Sequence, residues 1–472
     1  MEHIIGRKEE IAILQALRQS PKSEFVAIYG RRRVGKTFLV RTVFEGQLSF
    51  QLTGVARSNL KQQLRNFQDV LQGFDPKAGK KPPKTWFDAF VSLRAYLEKC
   101  PPGKKVVFLD ELPWLDTPQS GFVSALEHFW NSWASARRDI LLIVCGSAAA
   151  WIIKKLINDR GGLHNRLTER IILQPFTLAE TEAFLREKKA RYDRYQLIEL
   201  YMTMGGIPFY LENVRTNCSV AQNVDRMFFT PGGLLATEYE NLFRSLFDRH
   251  EKHTAIVEAI AQKAKGLTRK ELLEMTKLPN GGTTTTLLEE LTQSGFIRQY
   301  LPFGKGKREA LYQLIDPFVL FYLTFLKGSR TSGAGAWMAQ LDSPKWQAWS
   351  GYAFEYVCLQ HIESLKKHLG IGGVYAEIST WRSKTSEKGA QIDLLIDRKD
   401  RVINVCEMKF STAPYTITKA YADQLRHKMQ AFKSETGTKK TLLLTFVAAH
   451  GLAPNDHATQ LVHDALDMNA LF

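Results

Sequence analysis

Between Phe25 and Leu173 the chain repeats one alternation: a short run of apolar residues, then a longer stretch of helical period. FVAIY at Phe25–Tyr29 is apolar throughout, and similar runs recur at Leu48–Leu52, Val106–Leu109, Ile140–Cys145 and Arg170–Leu173. A strand with no polar side is buried on both faces, which is the signature of a parallel sheet covered by helices. The helical stretches between them include Leu60–Leu71 and Phe122–Trp133, so the order predicts an α/β layer with a parallel sheet. GKKPPK at Gly79–Lys84 reads as an exposed connector, and Pro175 closes the last strand.

Beyond Pro175 the pattern changes. Thr177–Leu246 is helical in period, broken by GGIP at Gly205–Pro208, and predicts a small helical lid over residues 177–250. His253–Leu314 reads as three helices and a β-hairpin that turns near Gly304–Lys307, the order of a winged helix over 251–327. After the apolar helix DPFVLFYLTFL, the Gly/Ser-rich GSRTSGAGA predicts a linker over 328–344. The last segment, 345–472, is again α/β, with a helix through Phe354 and strands at Gln391–Ile396 and Val402–Lys409. A helix at Lys419–Phe432 and a strand at Thr441–Phe446 complete it. A chain of 472 residues holds roughly three domains at the usual size, which agrees with this division.

Composition narrows the class. Hydrophobic residues make up 44% and charged residues 24%, as in ordinary globular domains. The apolar stretch around Phe318–Leu326 falls short of the roughly 18 to 20 residues that cross a bilayer, so no membrane partner is expected. MEHIIGRKEE lacks the basic-then-apolar layout of a secretory signal, and cytoplasmic location is the expectation. Cys100, Cys145, Cys218, Cys358 and Cys406 have no CxxC spacing and read as free thiols in a reducing compartment. Lys and Arg outnumber Asp and Glu by 64 to 48, a formal charge of +16. Such an excess favours a nucleic-acid partner, because each neutralised phosphate releases condensed counterions.

The strand Phe25–Tyr29 runs straight into GRRRVGKT, Gly30–Thr37. A GxxxxGK[ST] loop between strand and helix meets the three needs of a bound nucleoside triphosphate. Gly30 and Gly35 let the backbone, with Arg31, Arg32, Arg33 and Val34 between them, curl around phosphate oxygens. Lys36 supplies charge to the β and γ groups, and Thr37, followed by Phe38, opens a helix with its hydroxyl toward Mg²⁺. ATP and Mg²⁺ are therefore the expected cofactors. The apolar strand VVFLDE ends on Asp110, which would hold the metal shell, and Glu111, which would polarise the attacking water. LLIVCGS ends on Ser147, which would touch the γ-phosphate or the water, or simply form a turn. Arg166 and Arg170 follow: either they supply charge to the transition state, in cis or from a second copy in a homo-oligomer, or they are solvated surface arginines.

These motifs, with IIGRKEEI at Ile4 and GGIP followed by Tyr210 and Leu211, together resemble the archaeal-type AAA+ ATPase family also found in bacteria. By that resemblance Ile5, Gly6 and Arg7 would lie near the adenine, and Gly206 and Pro208 would bring the lid onto the nucleotide. Read without the resemblance, Gly-Gly-x-Pro between helices is a tight turn. The C-terminal third of this family often resembles the PD-(D/E)XK nuclease fold, a restriction-endonuclease-like domain. Metal-assisted phosphodiester cleavage needs carboxylates on adjacent strands and a nearby cation. QIDLLI supplies Asp393, and VINVCEMKF supplies Glu407 and Lys409, two apart and so on one face of a strand. The resemblance adds Glu355 as a further metal-associated acid, with Gln424 on the next helix facing a phosphate or water. An ExK pair in a strand is equally the pattern of a surface ion pair.

Asn280 and Thr283–Thr286 on the third helix, with Lys305, Lys307 and Arg308 in the wing, are placed to reach base edges or phosphates, DNA being the favoured partner. Winged helices also serve as protein-docking or spacer modules. Two functional readings follow. One is an ATP-hydrolysing, nucleic-acid-engaging protein with a Mg²⁺-dependent nuclease domain; the other is an ATP-gated signalling or scaffold protein whose C-terminal domain binds without cleaving.

Overall fold

The structure is a computed structural model that describes residues 4–147, 149–157, 163, 165–247, 249–329, 333–383 and 389–472. It divides into two compact units, Met1–Pro175 and Phe176–Phe472. Among the described residues, no helix is long and apolar enough to cross a membrane.

The first unit is built on five parallel strands: β1 (Glu24–Tyr29), β2 (Leu48–Thr53), β3 (Lys105–Asp110), β4 (Ile140–Gly146) and β5 (Glu169–Ile172). Their spatial order is β2-β3-β4-β1-β5. Every position of β1, β3 and β4 is buried. Each fully buried Val, Ile or Phe contributes about 1.5–3 kcal/mol, so these three central strands anchor the unit. The covering helices start where the sequence provides caps. Asn59 and Gln62 form a reciprocal capping box at Leu60–Phe74, and Thr85 and Asp88 form another at Trp86–Lys99. Aromatic contacts join the second of these to the helix Phe122–Ser132: Trp86 meets Phe122 edge-on at 4.9 Å, and Phe90 stacks on Phe129 at 5.1 Å. Because all strands run the same way, their C-terminal ends lie along one edge, where ligands bind in open parallel sheets.

The second unit opens with helices at Leu178–Glu187, Arg194–Met204 and Pro208–Glu212. Gly206 in the intervening turn has a packing reason: a Cβ there would lie 1.9 Å from the Phe176 carbonyl oxygen. Its own carbonyl accepts the Phe176 N–H at 2.6 Å. Pro208 occupies the first turn of its helix, where its missing N–H costs no hydrogen bond.

Glu199, on the Arg194–Met204 helix, is pushed up to about 7 by burial and by the charges of Asp193 and Asp342. A carboxyl raised above its usual 4.5 in the fold favours folding below pH 4.5, and that contribution is lost as the pH climbs to 7. Glu199→Gln is therefore expected to raise the unfolding free energy at pH 8 by up to about 3 kcal/mol, from 1.36 kcal/mol per unit. The gain should vanish at pH 4, which denaturant melts at the two pH values would show.

Next come the helices His250–Ala261, Arg269–Thr276 and Gly282–Gln293 with β6 (Leu267–Thr268), β7 (Ile297–Tyr300) and β8 (Leu311–Leu314). The strands form an antiparallel sheet ordered β6-β8-β7. On the third helix Thr283, Thr285 and Thr286 are exposed, but Thr284 is buried and its hydroxyl donates to the Pro279 carbonyl at 2.7 Å. Thr284 is thus committed to the helix start and is not available to a ligand, contrary to the sequence expectation. Asn280 and Thr285 accept hydrogen bonds from Arg269 at 3.2 and 3.1 Å. Lys305 pairs with Glu309 at 2.8 Å, while Lys307 and Arg308 are exposed in a short 3-10 turn.

Of the stretch expected to be a linker, residues 330–332 lie outside the described residues, and the rest does not behave as a tether. Trp337 is buried against Phe321, Phe325 and Trp349, with centroids 4.9, 5.0 and 6.0 Å away. Its backbone N–H donates to Asp225 at 2.6 Å. One tryptophan and two phenylalanines around it outweigh the local Gly/Ser composition.

The chain ends in a second five-stranded sheet: β9 (Ala376–Arg382), β10 (Gln391–Arg398), β11 (Val402–Lys409), β12 (Thr441–Ala448) and β13 (Asp464–Leu466). Its order is β13-β12-β11-β10-β9. The first three strands in sequence pair antiparallel, and β11, β12 and β13 pair parallel. The helix Pro344–Gln360 precedes this sheet, and Lys419–Thr436 is the crossover from β11 to β12.

Candidate functional site

The first cluster lies at the C-terminal edge of the first sheet. After β1 the chain turns through Gly30 (φ 143°), Arg33 (φ 70°) and Gly35 (φ 92°) and enters the helix Lys36–Val43. Gly30 is obligatory, since a Cβ would lie 2.3 Å from the Leu173 carbonyl oxygen. Such a curled loop directs successive N–H groups inward at a helix N-terminus, which makes an anion cradle. The Lys36 ammonium is buried and donates to the carbonyls of Gly30 (3.1 Å) and Arg31 (2.8 Å). Burial lowers its pKa, and the nearby Cys145, Glu111 and Asp110 oppose that shift. Phe38, further along the same helix, is half exposed.

Two strands away, Asp110 ends β3 and is buried. One of its carboxylate oxygens accepts the Thr37 hydroxyl at 2.9 Å, and the other accepts the Glu111 N–H at 3.0 Å. Thr37 and Asp110 thus set two hard oxygen donors side by side, a donor pair suited to Mg²⁺. Glu111 adopts a left-handed backbone (φ 48°) immediately after the strand. Its carboxylate accepts the Ser147 hydroxyl at 2.6 Å and the Ser147 N–H at 3.4 Å. Ser147 follows β4, which lies between β1 and β3, so strand order alone brings the three loops together. The structure therefore gives Ser147 a partner that the sequence did not suggest, the Glu111 carboxylate. Cys145, which the sequence marks only as a free thiol, is fully buried beside this cluster; burial and Asp110 hold its thiol protonated.

Arg7 precedes the helix Lys8–Gln19 in a left-handed conformation, next to Gly6 (φ 65°). Its buried guanidinium donates to the Gln174 carbonyl at 2.7 Å and the Val34 carbonyl at 3.3 Å, tying the loop to the end of β5. Ile5 and Gly6 are half-buried beside it. Arg166 sits in an exposed turn with its N–H on the Leu163 carbonyl, and Arg170 is exposed on the edge strand β5. Gly206 and Pro208 belong to the second unit.

The second cluster lies within the second unit. Glu355, on the helix Pro344–Gln360, and Asp393, on β10, are joined by a residue absent from the sequence reading: Lys265 reaches Glu355 at 2.5 Å and Asp393 at 2.7 Å. Asp393 also accepts from Gln391 at 2.6 Å and falls where the β9–β10 register shifts. Burial raises Glu355 to about 7, helped by Asp393. Glu407, on β11, is engaged separately, by Lys428 (2.6 Å), Lys409 (3.1 Å) and the Tyr421 hydroxyl (2.6 Å). Lys428 and Tyr421 lie seven apart on the helix Lys419–Thr436 and so share a face, which the sequence contains but does not flag. Gln424 on the same helix is exposed. The ammonium of Lys409 also lies 5.0 Å from the centre of the Tyr421 ring. Among the described residues, no three His, Cys, Asp or Glu side chains are gathered closely enough to hold a metal ion. Glu355 and Asp393 form a two-carboxylate pair on Lys265, and Glu407 is held by Lys409, Lys428 and Tyr421.

Comparison with known proteins found the following likenesses. An uncharacterized protein of Methanocaldococcus jannaschii is 23% identical over 427 residues, covering 89% of this chain and 91% of its own. The Walker-type ATPase of Pyrococcus abyssi is similar in structure at a TM-score of 0.49 and 20% identity, over 68% of this chain and 96% of that one. The ORC2 protein of Aeropyrum pernix, in ADPNP and ADP complexes, gives a TM-score of 0.40 at 14% identity, over 72% and 97%. Residues 4–214 match the family described as an ATPase domain predominantly from Archaea.

Proposed function

We propose that the chain is an ATP-dependent DNA-processing protein, in which ATP turnover in the first unit governs a nucleic-acid-binding and Mg²⁺-dependent nuclease module in the second. The ATPase reading is carried by one observation: Lys36, Thr37, Asp110, Glu111 and Ser147 meet at one edge of one parallel sheet. Lys36 leaves the loop carbonyls to neutralise the β and γ phosphates. Glu111, held by Ser147, takes a proton from the attacking water. Mg²⁺ on Thr37 and Asp110 would neutralise charge on the phosphates. Arg166 and Arg170, exposed at the far side of β1, are the candidates for an additional cation, in cis or across a homo-oligomer.

For the second unit, three observations support the reading. The unit of three helices and three strands has the order of a winged helix, with Lys307 and Arg308 exposed in its wing. The C-terminal sheet follows the helix, three antiparallel strands, crossover helix and parallel strand order of PD-(D/E)XK nucleases. Its acids and lysines occupy the matching strands, Asp393 on β10 and Glu407 with Lys409 on β11. Here Asp393 and Glu355 would hold Mg²⁺, which when bound would supply Lewis acidity to the attacking water and the leaving oxygen, while Lys409 orients that water against Glu407. Plasmid DNA incubated with Mg²⁺ or Mn²⁺ should be nicked by the wild type and cut at least about 10²-fold more slowly by Asp393→Ala and Lys409→Ala. Equal residual cutting by all three proteins would remove the nuclease assignment.

A second reading has its own support. Every carboxylate of the C-terminal cluster is already paired with a lysine, as in a domain that binds a partner without cutting. On that reading, nucleotide-dependent binding survives Glu407→Ala and is lost on Lys36→Ala.

A further inference from the structure

The Lys265 ammonium lies between two carboxylates on two other elements of its unit, at 2.5 Å from Glu355 and 2.7 Å from Asp393. A divalent cation bridging the same pair would stand about 2.0–2.6 Å from its oxygens. The two positions overlap, and a monovalent and a divalent cation forced that close repel one another in this half-buried site.

Lys265 is not a mobile surface side chain that happens to reach an acid. It sits in the turn between His250–Ala261 and β6, and that turn is pinned from both sides. The Tyr300 hydroxyl donates to the Lys265 carbonyl at 2.7 Å, and Gln313 donates to the Ala264 carbonyl at 3.1 Å. Gln313 also donates to the Tyr352 hydroxyl at 3.2 Å, on the helix that carries Glu355. Gly266 completes the turn with φ 84°, where a Cβ would lie 2.3 Å from the Tyr312 carbonyl oxygen. The three-helix unit therefore presents Lys265 to the carboxylate pair through a fixed backbone, and any shift of this unit from the C-terminal sheet withdraws it.

We propose that Lys265 is a latch on the C-terminal site: while its turn is seated, its ammonium occupies the Glu355–Asp393 pair, so seating of the turn and loading of a divalent cation exclude one another. This rests on the reading of that pair as metal-binding and adds its control. Movement of the three-helix unit, for instance when it engages DNA, becomes the event that opens the site.

The test is Mn²⁺ binding to the full chain without nucleotide, followed by electron paramagnetic resonance of the free ion. Lys265→Met should bind Mn²⁺ at least about 10-fold more tightly than the wild type, since it removes the competing charge. Asp393→Asn placed on top should erase the gain, which separates this site from the ATPase site. Equal affinity in wild type and Lys265→Met overturns the latch. Should Lys265→Met fail to fold, hydrogen exchange in the wild type decides: saturating Mn²⁺ should speed amide exchange at 264–267 but not in Asp393→Asn, and unchanged exchange overturns the proposal. A gain in Mn²⁺ binding with intact plasmid upholds the latch and rejects cleavage. Cleavage with no gain does the reverse.

Discussion

Lys36→Ala is expected to abolish ATP turnover, with kcat/KM falling at least about 10²-fold, the range for losing one charge or donor aimed at a transition state. Lys36 is a buried cation of the loop, and its ammonium rests on the Gly30 and Arg31 carbonyls. Burial lowers its pKa, and the nearby Cys145, Glu111 and Asp110 oppose that shift. Alanine removes the charge without disturbing the glycines that shape the loop, so the fold should persist while turnover does not. Steady-state phosphate release, with circular dichroism as the check on folding, measures both. Turnover within 2-fold of the wild type, about 0.4 kcal/mol in barrier, would detach Lys36 from the chemistry.

Glu111→Gln should separate hydrolysis from binding. The amide oxygen of glutamine still accepts the Ser147 hydroxyl, now 2.6 Å from the carboxylate, so the local geometry survives. What is lost is the capacity to take a proton from water, and general bases contribute about 10²–10⁴-fold. Hydrolysis should fall by that factor while ATP affinity changes little. The variant would then trap the ATP-bound chain, in which state-dependent DNA binding can be measured. Ser147→Ala offers the graded companion: it frees the Glu111 carboxylate and should reduce turnover less than Glu111→Gln does.

The parts of this fold written plainly in the sequence are those where burial is uniform. β1, β3 and β4 are buried at every position, so their apolar runs announce both the sheet and its strand ends, and the phosphate loop and Asp110 follow from those ends. β9 was not legible, because AEISTWR is an edge strand with only Trp381 fully buried, and its polar composition resembles a loop. Trp337 escaped for the opposite reason: the surrounding glycines and serines suggest a tether, while three distant aromatic rings bury it. Sites built along one strand pattern were similarly visible, as with Glu407 and Lys409. Those that depend on tertiary approach were not. Nothing near Lys265 in sequence points to Glu355 or Asp393, and Ser147 reaches Glu111 only through strand order.

The claim beneath all of this is that the turn after β1 holds a triphosphate with Lys36 and Thr37, beside Asp110. Isothermal titration of the full chain with ATP and Mg²⁺ tests it most directly. The account predicts one saturable class of sites in the wild type, weakened at least about 10-fold, or 1.4 kcal/mol, by Lys36→Ala. An isotherm showing no saturable uptake, or one that Lys36→Ala leaves unchanged, would contradict it.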